Sequence, residues 1–233
     1  MLTSDAQLEK PPHDQLIWRF MTLEKLLDLL QSQRLFFAPL RSMKDPFEGH
    51  MPRENRAWLL EQIGDQLVGS GFAEGDIYKF LREIQFINCW HASTDESAAM
   101  WSLYSGCVAI RTQFDTLQDC LAATNLPITL GMVRYLDFSQ LGTAPKPPSV
   151  RITHLKRRSF EHEKELRASI CCPHRVHNEP LSGLPVPIDC KKLIRDVVVD
   201  PEAPSWISSV VQDVVKKYGF SFEVKRSDLY TLV

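Results

Sequence analysis

The stretch FEHEKELRAS, residues 160–169, contains Glu163, Glu165 and Arg167 at two-residue steps. In a β-strand the side chains of Glu163, Glu165 and Arg167 would project from one face, because alternate strand residues face the same way. In a helix Glu161 would align with Glu165 instead. A paired carboxylate beside an arginine can tune one acid as a general base or as a ribose-binding group. The same residues could instead form a solvated face whose surface ion pairs contribute little stability.

A second acidic pair, Asp45 and Glu48, lies in the turn KDPFEG. Pro46 disfavours a helical conformation at Asp45, and Gly49 is suited to close the turn. Two acids in such a turn can hold a cation, accept hydrogen bonds from a ligand or cap neighbouring helices. The structural alternative is a turn in which Asp45 accepts hydrogen bonds from its own backbone.

An aromatic segment, CWHASTDESAAMWSLY, spans residues 89–104. Ser93 and Glu96 have the spacing of a capping box, which predicts a helix from Ser93 to about Tyr104. Aromatic side chains on a helix can pack into a core or form the wall of a cleft. We expect Trp101 and Tyr104 to border a pocket.

Cysteine and histidine are concentrated in CCPHRVH, where Cys171, Cys172, His174 and His177 could act as soft ligands for zinc. Adjacent cysteines on a strand point to opposite faces, and the spacing matches no strong zinc pattern. We therefore include no metal ligand among the expected site residues. The chain has six cysteines in all and no short disulfide framework, which favours reduced, buried thiols.

The elements that must position these residues alternate between strands and helices without a regular βαβ repeat. Strands are predicted at IWRF, RLFFAP, FINCWHA, CVAIRTQF, MVRYLDF, ELRASICC, PVPID and FSFEVKRS. Amphipathic helices are predicted around 22–30, 58–67, 77–84 and 205–219, and a further helix around DTLQDCLAA. The expected fold class is α+β, with a mixed or antiparallel sheet and helices packed around it. We expect one domain over 16–233, after a polar tail at 1–15, with a proline-rich loop at 141–149.

Charge and hydropathy narrow the range of partners. The 233 residues include 27 basic and 29 acidic ones, so a formal net charge of −2 creates no overall field for nucleic acid or anionic lipid. The short basic run HLKRR is the one local exception. Charges interrupt every apolar run before it could span a bilayer. The polar start of the chain lacks the pattern of a secretion signal, which predicts a cytoplasmic protein.

Taken in order, IWRF, KDPFEG, CWHAS, MWSLY, VRYLDF and EHEKELR resemble the landmarks of the bacterial domain of unknown function 2971. That family typically has an N-D-P-F-E loop, a C-F-S strand, a M-W-x-x-Y helix and an E-x-E-x-R element. Here Lys44 replaces the asparagine, and Trp90 and His91 replace Phe-Ser. The resemblance covers about 16–230. It implies that one pocket is shared by Asp45, Glu48, Trp101, Tyr104, Glu163, Glu165 and Arg167.

The layout is also similar to that of ADP-ribosyltransferases, which place an arginine or histidine on the first strand of a split sheet and a catalytic glutamate on a late strand. This similarity implies NAD as the ligand and Arg19 as the group that binds its pyrophosphate. Tyr104 or Trp101 would stack on a ring. Glu165, with Glu163 beside it, would bind the ribose and stabilise an oxocarbenium-like centre. The expected partner is then a small-molecule nucleotide or a protein acceptor, and the chemistry is transfer or glycohydrolysis.

Two other functions use the same residues. In a non-catalytic binding or sensor module, Asp45, Glu48, Glu165 and Arg167 would form a structural ion-pair network around a ligand- or protein-binding surface. A metal-dependent hydrolase would hold a divalent cation with its acids, and more aspartates and a clearer histidine base would be expected for it. Replacing Glu165 by glutamine would abolish turnover in a transferase, but in a structural network it would destabilise the fold.

Overall fold

The computed structural model describes residues 8–50, 74–104, 107–139, 151–172 and 182–232. The strands in these ranges are β1 Leu16–Thr22, β2 Arg34–Pro39, β3 Gln85–Ala92, β4 Cys107–Gln113, β5 Ile128–Met132, β6 Arg134–Leu136, β7 Leu155–Arg157, β8 Glu165–Cys171, β9 Leu184–Pro187, β10 Asp196–Val199 and β11 Glu223–Arg226. The α-helices are α1 Leu23–Ser32, α2 Glu74–Ile84, α3 Ala98–Leu103, α4 Phe114–Ala122, α5 Cys190–Leu193 and α6 Trp206–Lys217. The predicted helix around 58–67, the proline-rich loop at 141–149, His174 and His177 lie outside the described residues.

The helices form where apolar residues recur at helical spacing. In α1, Leu26, Leu29 and Leu30 form a buried stripe. Gln33 ends this helix in a left-handed conformation, with φ of 49°, and its N–H bonds to the Leu29 carbonyl. Thr22 occupies the N-cap position of α1 but makes no side-chain capping hydrogen bond.

The strands form a mixed, mostly antiparallel sheet in the order β11-β10-β4-β1-β3-β2-β9, with β8 paired to β3 and β5 paired to β8. The β10–β11 pair is parallel, and β6 and β7 form a separate parallel pair. Together with the packed helices this arrangement confirms the predicted single-domain α+β fold. None of the described helices combines the length and apolar character needed to cross a membrane.

The sheet opens between β1 and β3. In the described registers, β1 pairs with β4 along all its seven residues but with β3 at only two positions, one of which joins Trp18 to His91. At its other end β3 pairs with β2 through Ile87 and its neighbour. Residues 88–90 therefore pair with neither β1 nor β2 on this side, and the side chain of Arg19 enters the opening.

The two faces of the sheet carry different residues, as the alternation in FINCWHA predicts. Phe86 and Trp90 lie on the face that α1, α4 and α6 cover, and both belong to the large apolar core. Trp90 is buried in that core. Ile87, Cys89 and His91 lie on the opposite face. We call these the apolar face and the polar face.

Candidate functional site

A buried charge cluster lies on the polar face, centred on Arg167 in β8. Arg167 donates to both carboxylate oxygens of Glu48 at 2.9 Å each and to the carbonyl of Thr153 at 2.9 Å. Its Nε donates to Glu165 at 2.5 Å, because the two residues share a face of the strand. Burial alone would lower the pKa of Arg167, but Glu165 and Glu48 outweigh it and raise that pKa.

Lys156, in β7, completes this cluster. Its ammonium lies 2.7 Å from Glu163, 2.5 Å from Glu165 and 3.2 Å from Glu48. Burial alone would lower the pKa of Lys156, but the surrounding carboxylates outweigh this effect and raise it. Sequence reasoning missed this lysine, which it grouped with the basic run HLKRR. The candidate residues contain more acids than arginines, and buried acids require compensating cations. This excess was the signal that could have revealed the lysine.

Glu163 lies just before β8, so the strand geometry considered for it does not apply. A 3-10 helix, Arg158–Glu163, precedes β8, and Lys164 adopts a left-handed conformation with φ of 39° that separates the two elements. The Nδ1–H of His91 donates to the Glu163 carbonyl at 2.7 Å and fixes the turn. The strand face predicted for three residues therefore holds only Glu165 and Arg167, and Glu163 reaches the cluster from the turn.

The two acids of this pair have opposite pKa shifts. Burial and a hydrogen bond to Glu165 raise the pKa of Glu163 to about 7. Burial would also raise the pKa of Glu165, but Arg167 and Lys156 hold it well below its usual value. Glu165 is therefore a permanent carboxylate, and Glu163 can gain or lose a proton near neutral pH.

Asp45 fulfils the structural alternative for its turn. Its carboxylate accepts from the backbone N–H of Phe47 at 3.1 Å and from Arg157 at 2.8 and 3.1 Å. The guanidinium of Arg157 also lies 4.5 Å from the centre of the Phe47 ring. Gly49 has a φ of 78°, and a β-carbon there would approach a Leu40 methyl to 2.6 Å. These contacts fix the turn, and the turn positions Glu48 in the charge cluster.

A cavity of about 180 Å³, which we call the split cavity, lies where β1 and β3 separate on the polar face. The predicted site residues in its wall are Arg19, Tyr104, Glu163 and Glu165. Other lining residues, which sequence reasoning did not assign to a site, include Phe20, Phe36, Cys89 and His91. Four predicted site residues are absent from the wall, namely Asp45, Glu48, Trp101 and Arg167. Two of these support the wall residue Glu165 from behind: Arg167 pairs with it directly, and Glu48 is linked to it through Lys156.

Arg19 carries a positive charge that no acid in the described part of the chain pairs with. Its Nη1 donates to the carbonyl of Cys89 at 2.8 Å, and its guanidinium lies 5.9 Å from the centre of the Trp90 ring. Across the described residues, no carboxylate lies within ion-pair distance of it. Burial lowers the pKa of Arg19, which reflects the cost of holding this charge in the sheet. An anionic ligand would offset that cost.

Aromatic rings form the walls around this charge. Tyr104 is 42% exposed and stacks on Phe20, with ring centres 6.3 Å apart. Burial raises the pKa of Tyr104 to about 12, so the phenol stays neutral. On the β2 side, Phe36 is 44% exposed, and a β-carbon on Gly183 would come within 1.9 Å of its ring. Phe36 could have been found in RLFFAP, because its neighbours on both sides face the core.

Trp101 occupies a layer behind this wall. Its ring packs edge-on against Phe20 at 4.8 Å, and its Nε1–H donates to Glu96 at 3.1 Å. The helix starts later than predicted, at Ala98, with the Ser97 hydroxyl accepting from the Met100 N–H. The predicted capping box fails because the carbonyl of Ser93 is bound by the Trp18 indole at 2.9 Å, which holds the chain outside the helix.

The described residues contain no group of three or more histidine, cysteine, aspartate or glutamate side chains that could hold a metal ion. Comparison with protein-family models, curated proteins and solved structures finds no match for this chain. The resemblance to domain of unknown function 2971 therefore stays a prediction. A functional assignment must be argued from the split cavity and its walls.

Proposed function

We propose that this protein binds NAD or a closely related nucleotide in the split cavity and cleaves its N-glycosidic bond. The observation that carries the proposal is the composition of one cavity wall. It combines Arg19, which has no acidic partner among the described residues, with an exposed aromatic ring, Tyr104, and an acid pair, Glu163 and Glu165. The opening between β1 and β3 that creates the cavity supports the similarity in layout to ADP-ribosyltransferases.

Arg19 would bind the pyrophosphate. A guanidinium can donate two parallel hydrogen bonds to phosphate oxygens, and such charge-assisted bonds are stronger than neutral ones. Only one nitrogen of Arg19 has a hydrogen bond in the described structure, to Cys89. The remaining N–H groups are thus available to a ligand. Tyr104, whose exposed ring borders the cavity, would stack on the nicotinamide ring.

The two acids of the pair would have different roles in the reaction. When the bond between the ribose C1′ and the nicotinamide nitrogen breaks, its electron pair leaves with nicotinamide and positive charge develops on the ribose. The permanent carboxylate of Glu165 would stabilise that charge. A water or acceptor hydroxyl then forms the new C1′–O bond and loses a proton. Glu163, with a pKa of about 7, is suited to accept it.

The positions of the two acids favour Glu163 as the one that contacts the reacting atoms. Both oxygens of Glu165 are bound, one to Arg167 and the other to Lys156. Glu163 lies at the end of its turn, is more exposed, and bonds to Lys156 through one oxygen only. Glu165 would therefore act through its charge, and Glu163 through proton transfer.

A non-catalytic nucleotide-binding module is the second candidate. It is favoured by the bidentate contact between Arg167 and Glu48, which is fully buried and satisfies the criteria of a structural network. In that case the same cavity would recognise a nucleotide without turnover. The acid pair would then fix the position of Lys156 and the turn that precedes β8.

The test is nicotinamide release and intact-mass analysis after incubation with NAD, with and without cell lysate as a source of acceptors. We expect release by the wild type and a reduction of about 10²–10⁴-fold in Glu163→Gln. Glu161→Gln is the matched control, because Glu161 is an exposed acid on the same turn and outside the split cavity. Glu165→Gln is a poorer probe, since it also removes a buried ion-pair partner.

Absence of release by the wild type under both conditions would contradict the catalytic proposal. Calorimetric titration with NAD would then test the binding module, which requires NAD to bind without turnover. Equal release by the wild type and Glu163→Gln would retain the activity but remove Glu163 from the reaction.

A further inference from the structure

A second cavity, of about 150 Å³, lies between α1 and the first two strands. We call it the basic groove. Residues that line it include Arg19, Lys25, Asp28, Leu29, Arg34 and Phe36. Arg19, Phe20 and Phe36 line both the basic groove and the split cavity. The two cavities are therefore neighbours, separated by a wall of three side chains.

The basic groove has a local excess of positive charge. Three cations, on Arg19, Lys25 and Arg34, face one acid, Asp28. The described part of the chain gives none of these three cations an ion pair. The whole chain has a formal net charge of −2, so this concentration opposes the overall sign. Such a patch attracts anions and raises their local concentration.

We propose that the basic groove binds the phosphates of a nucleotide whose ring occupies the split cavity. This inference rests on the proposed function and extends its ligand contacts to Lys25 and Arg34. Pockets for small ligands usually enclose at least about 300 Å³, so the split cavity at about 180 Å³ is large enough only for part of a nucleotide. The adjoining groove supplies the missing space on the far side of Arg19.

The exposure of the lining residues fits a ligand whose phosphates lie in the basic groove and whose ring lies in the split cavity. Lys25 lies on α1, Arg34 begins β2, and both side chains are exposed. Phosphates keep part of their hydration, so an open groove with mobile cationic side chains suits them. The half-buried wall of Phe20 and Tyr104 suits a planar ring instead. Arg19, between the two, can contact the first phosphate.

The test is calorimetric titration with three probes: inorganic pyrophosphate, ADP-ribose and the phosphate-free nicotinamide riboside. The variant is Lys25→Gln combined with Arg34→Gln. Its charge-matched control is Lys191→Gln combined with Lys216→Gln, two exposed lysines on other helices. We expect Kd for pyrophosphate and ADP-ribose to rise about tenfold in the variant only. Binding of nicotinamide riboside should stay unchanged, and added salt should weaken only the phosphate-bearing probes.

The outcomes separate this inference from the proposed reaction. If the variant binds ADP-ribose as tightly as the wild type does, or the wild type binds neither phosphate probe, the groove is not a phosphate site. Nicotinamide release would still stand on its own result. If the variant loses pyrophosphate affinity but the wild type releases no nicotinamide, the phosphate site is supported and the proposed reaction fails. Thermal unfolding of each variant confirms that it is folded.

Discussion

The two faces of the sheet bury neighbouring residues of β8 in opposite environments, one nonpolar and one charged. Leu166 pairs opposite Trp90 and is fully buried in the apolar core under the helices. Arg167, the next residue, is equally buried but lies on the polar face, where Glu48 and Glu165 compensate its charge. The apolar face gains stability from removing nonpolar area from water. The polar face carries a large desolvation cost that only complete pairing offsets.

This contrast supports the proposal that the polar face carries the functional site. A chain that needed only stability could fill the polar face with apolar residues, because a buried ion-pair cluster is often no more stable than a well-packed apolar substitute. Here the cluster supports the wall of the split cavity and sets opposite pKa shifts on Glu163 and Glu165. The polar face is therefore arranged around charges at a cavity, which is typical of sites that bind ligands or catalyse reactions.

The largest expected effect comes from breaking the charge cluster. Arg167→Met should lower the free energy of unfolding by about 3–5 kcal/mol, because Lys156 alone would then face the two buried acids Glu48 and Glu165 together with the half-buried Glu163. Urea denaturation at neutral pH measures the change. The loss should shrink as pH falls through the carboxyl range, because protonated glutamates no longer need the guanidinium.

The adjacent substitution Leu166→Ala is the matched comparison on the apolar face. It should cost about 3 kcal/mol through lost burial and a residual cavity, with little dependence on pH. A pH-independent loss in Arg167→Met would contradict the electrostatic account of the polar face. It would mean that Arg167 contributes mainly through packing of its aliphatic stem.

The local part of this architecture could be predicted from the sequence. Alternation in FINCWHA assigns Trp90 to one face of β3 and His91 to the other, because strand side chains alternate strictly. The same rule places Glu165 and Arg167 together. Such predictions succeed because they depend only on residues that are close in the chain.

The charge cluster depends on contacts that no local pattern encodes. Glu48 and Arg167 are 119 positions apart, and Lys156 reaches the cluster from the separate β6–β7 pair. The opening of the sheet is likewise a matter of which strands pair, so Arg19 could be proposed only by analogy of layout. The start of α3 was misplaced because a tertiary hydrogen bond to Ser93 overrides a local capping signal.

An intermediate effect should appear in the pH dependence of stability. With its pKa raised from 4.5 to about 7, Glu163 retains a proton in the folded state where the unfolded carboxyl has lost it. Glu163 therefore makes stability fall as pH rises between these values, by about 2–3 kcal/mol. Glu163→Gln should remove this slope, and Glu161→Gln should keep it. Denaturation midpoints from pH 4.5 to 7.5 measure both, and an unchanged slope in Glu163→Gln would show that this carboxyl titrates normally.

The smallest effect on stability should come from Gly183→Ala, which tests whether the aromatic wall of the polar face serves a ligand. The new methyl would displace the ring of Phe36, at a cost of about 1 kcal/mol since that ring is 44% exposed and can rotate. If Phe36 contacts the bound ring, Kd for nicotinamide riboside should rise several-fold while the fold remains intact. The neighbouring exposed residue offers a control, Ser182→Ala, which should bind as the wild type does.

Unchanged affinity in Gly183→Ala would remove Phe36 from the ligand and leave Tyr104 as the stacking residue. That result would also reduce the part of the polar face that contacts the ligand. The split cavity would then be bounded functionally by β1, α3 and the acid pair alone. Reduced affinity would extend the site across the opening to β2, as a ring bound between Tyr104 and Phe36 requires.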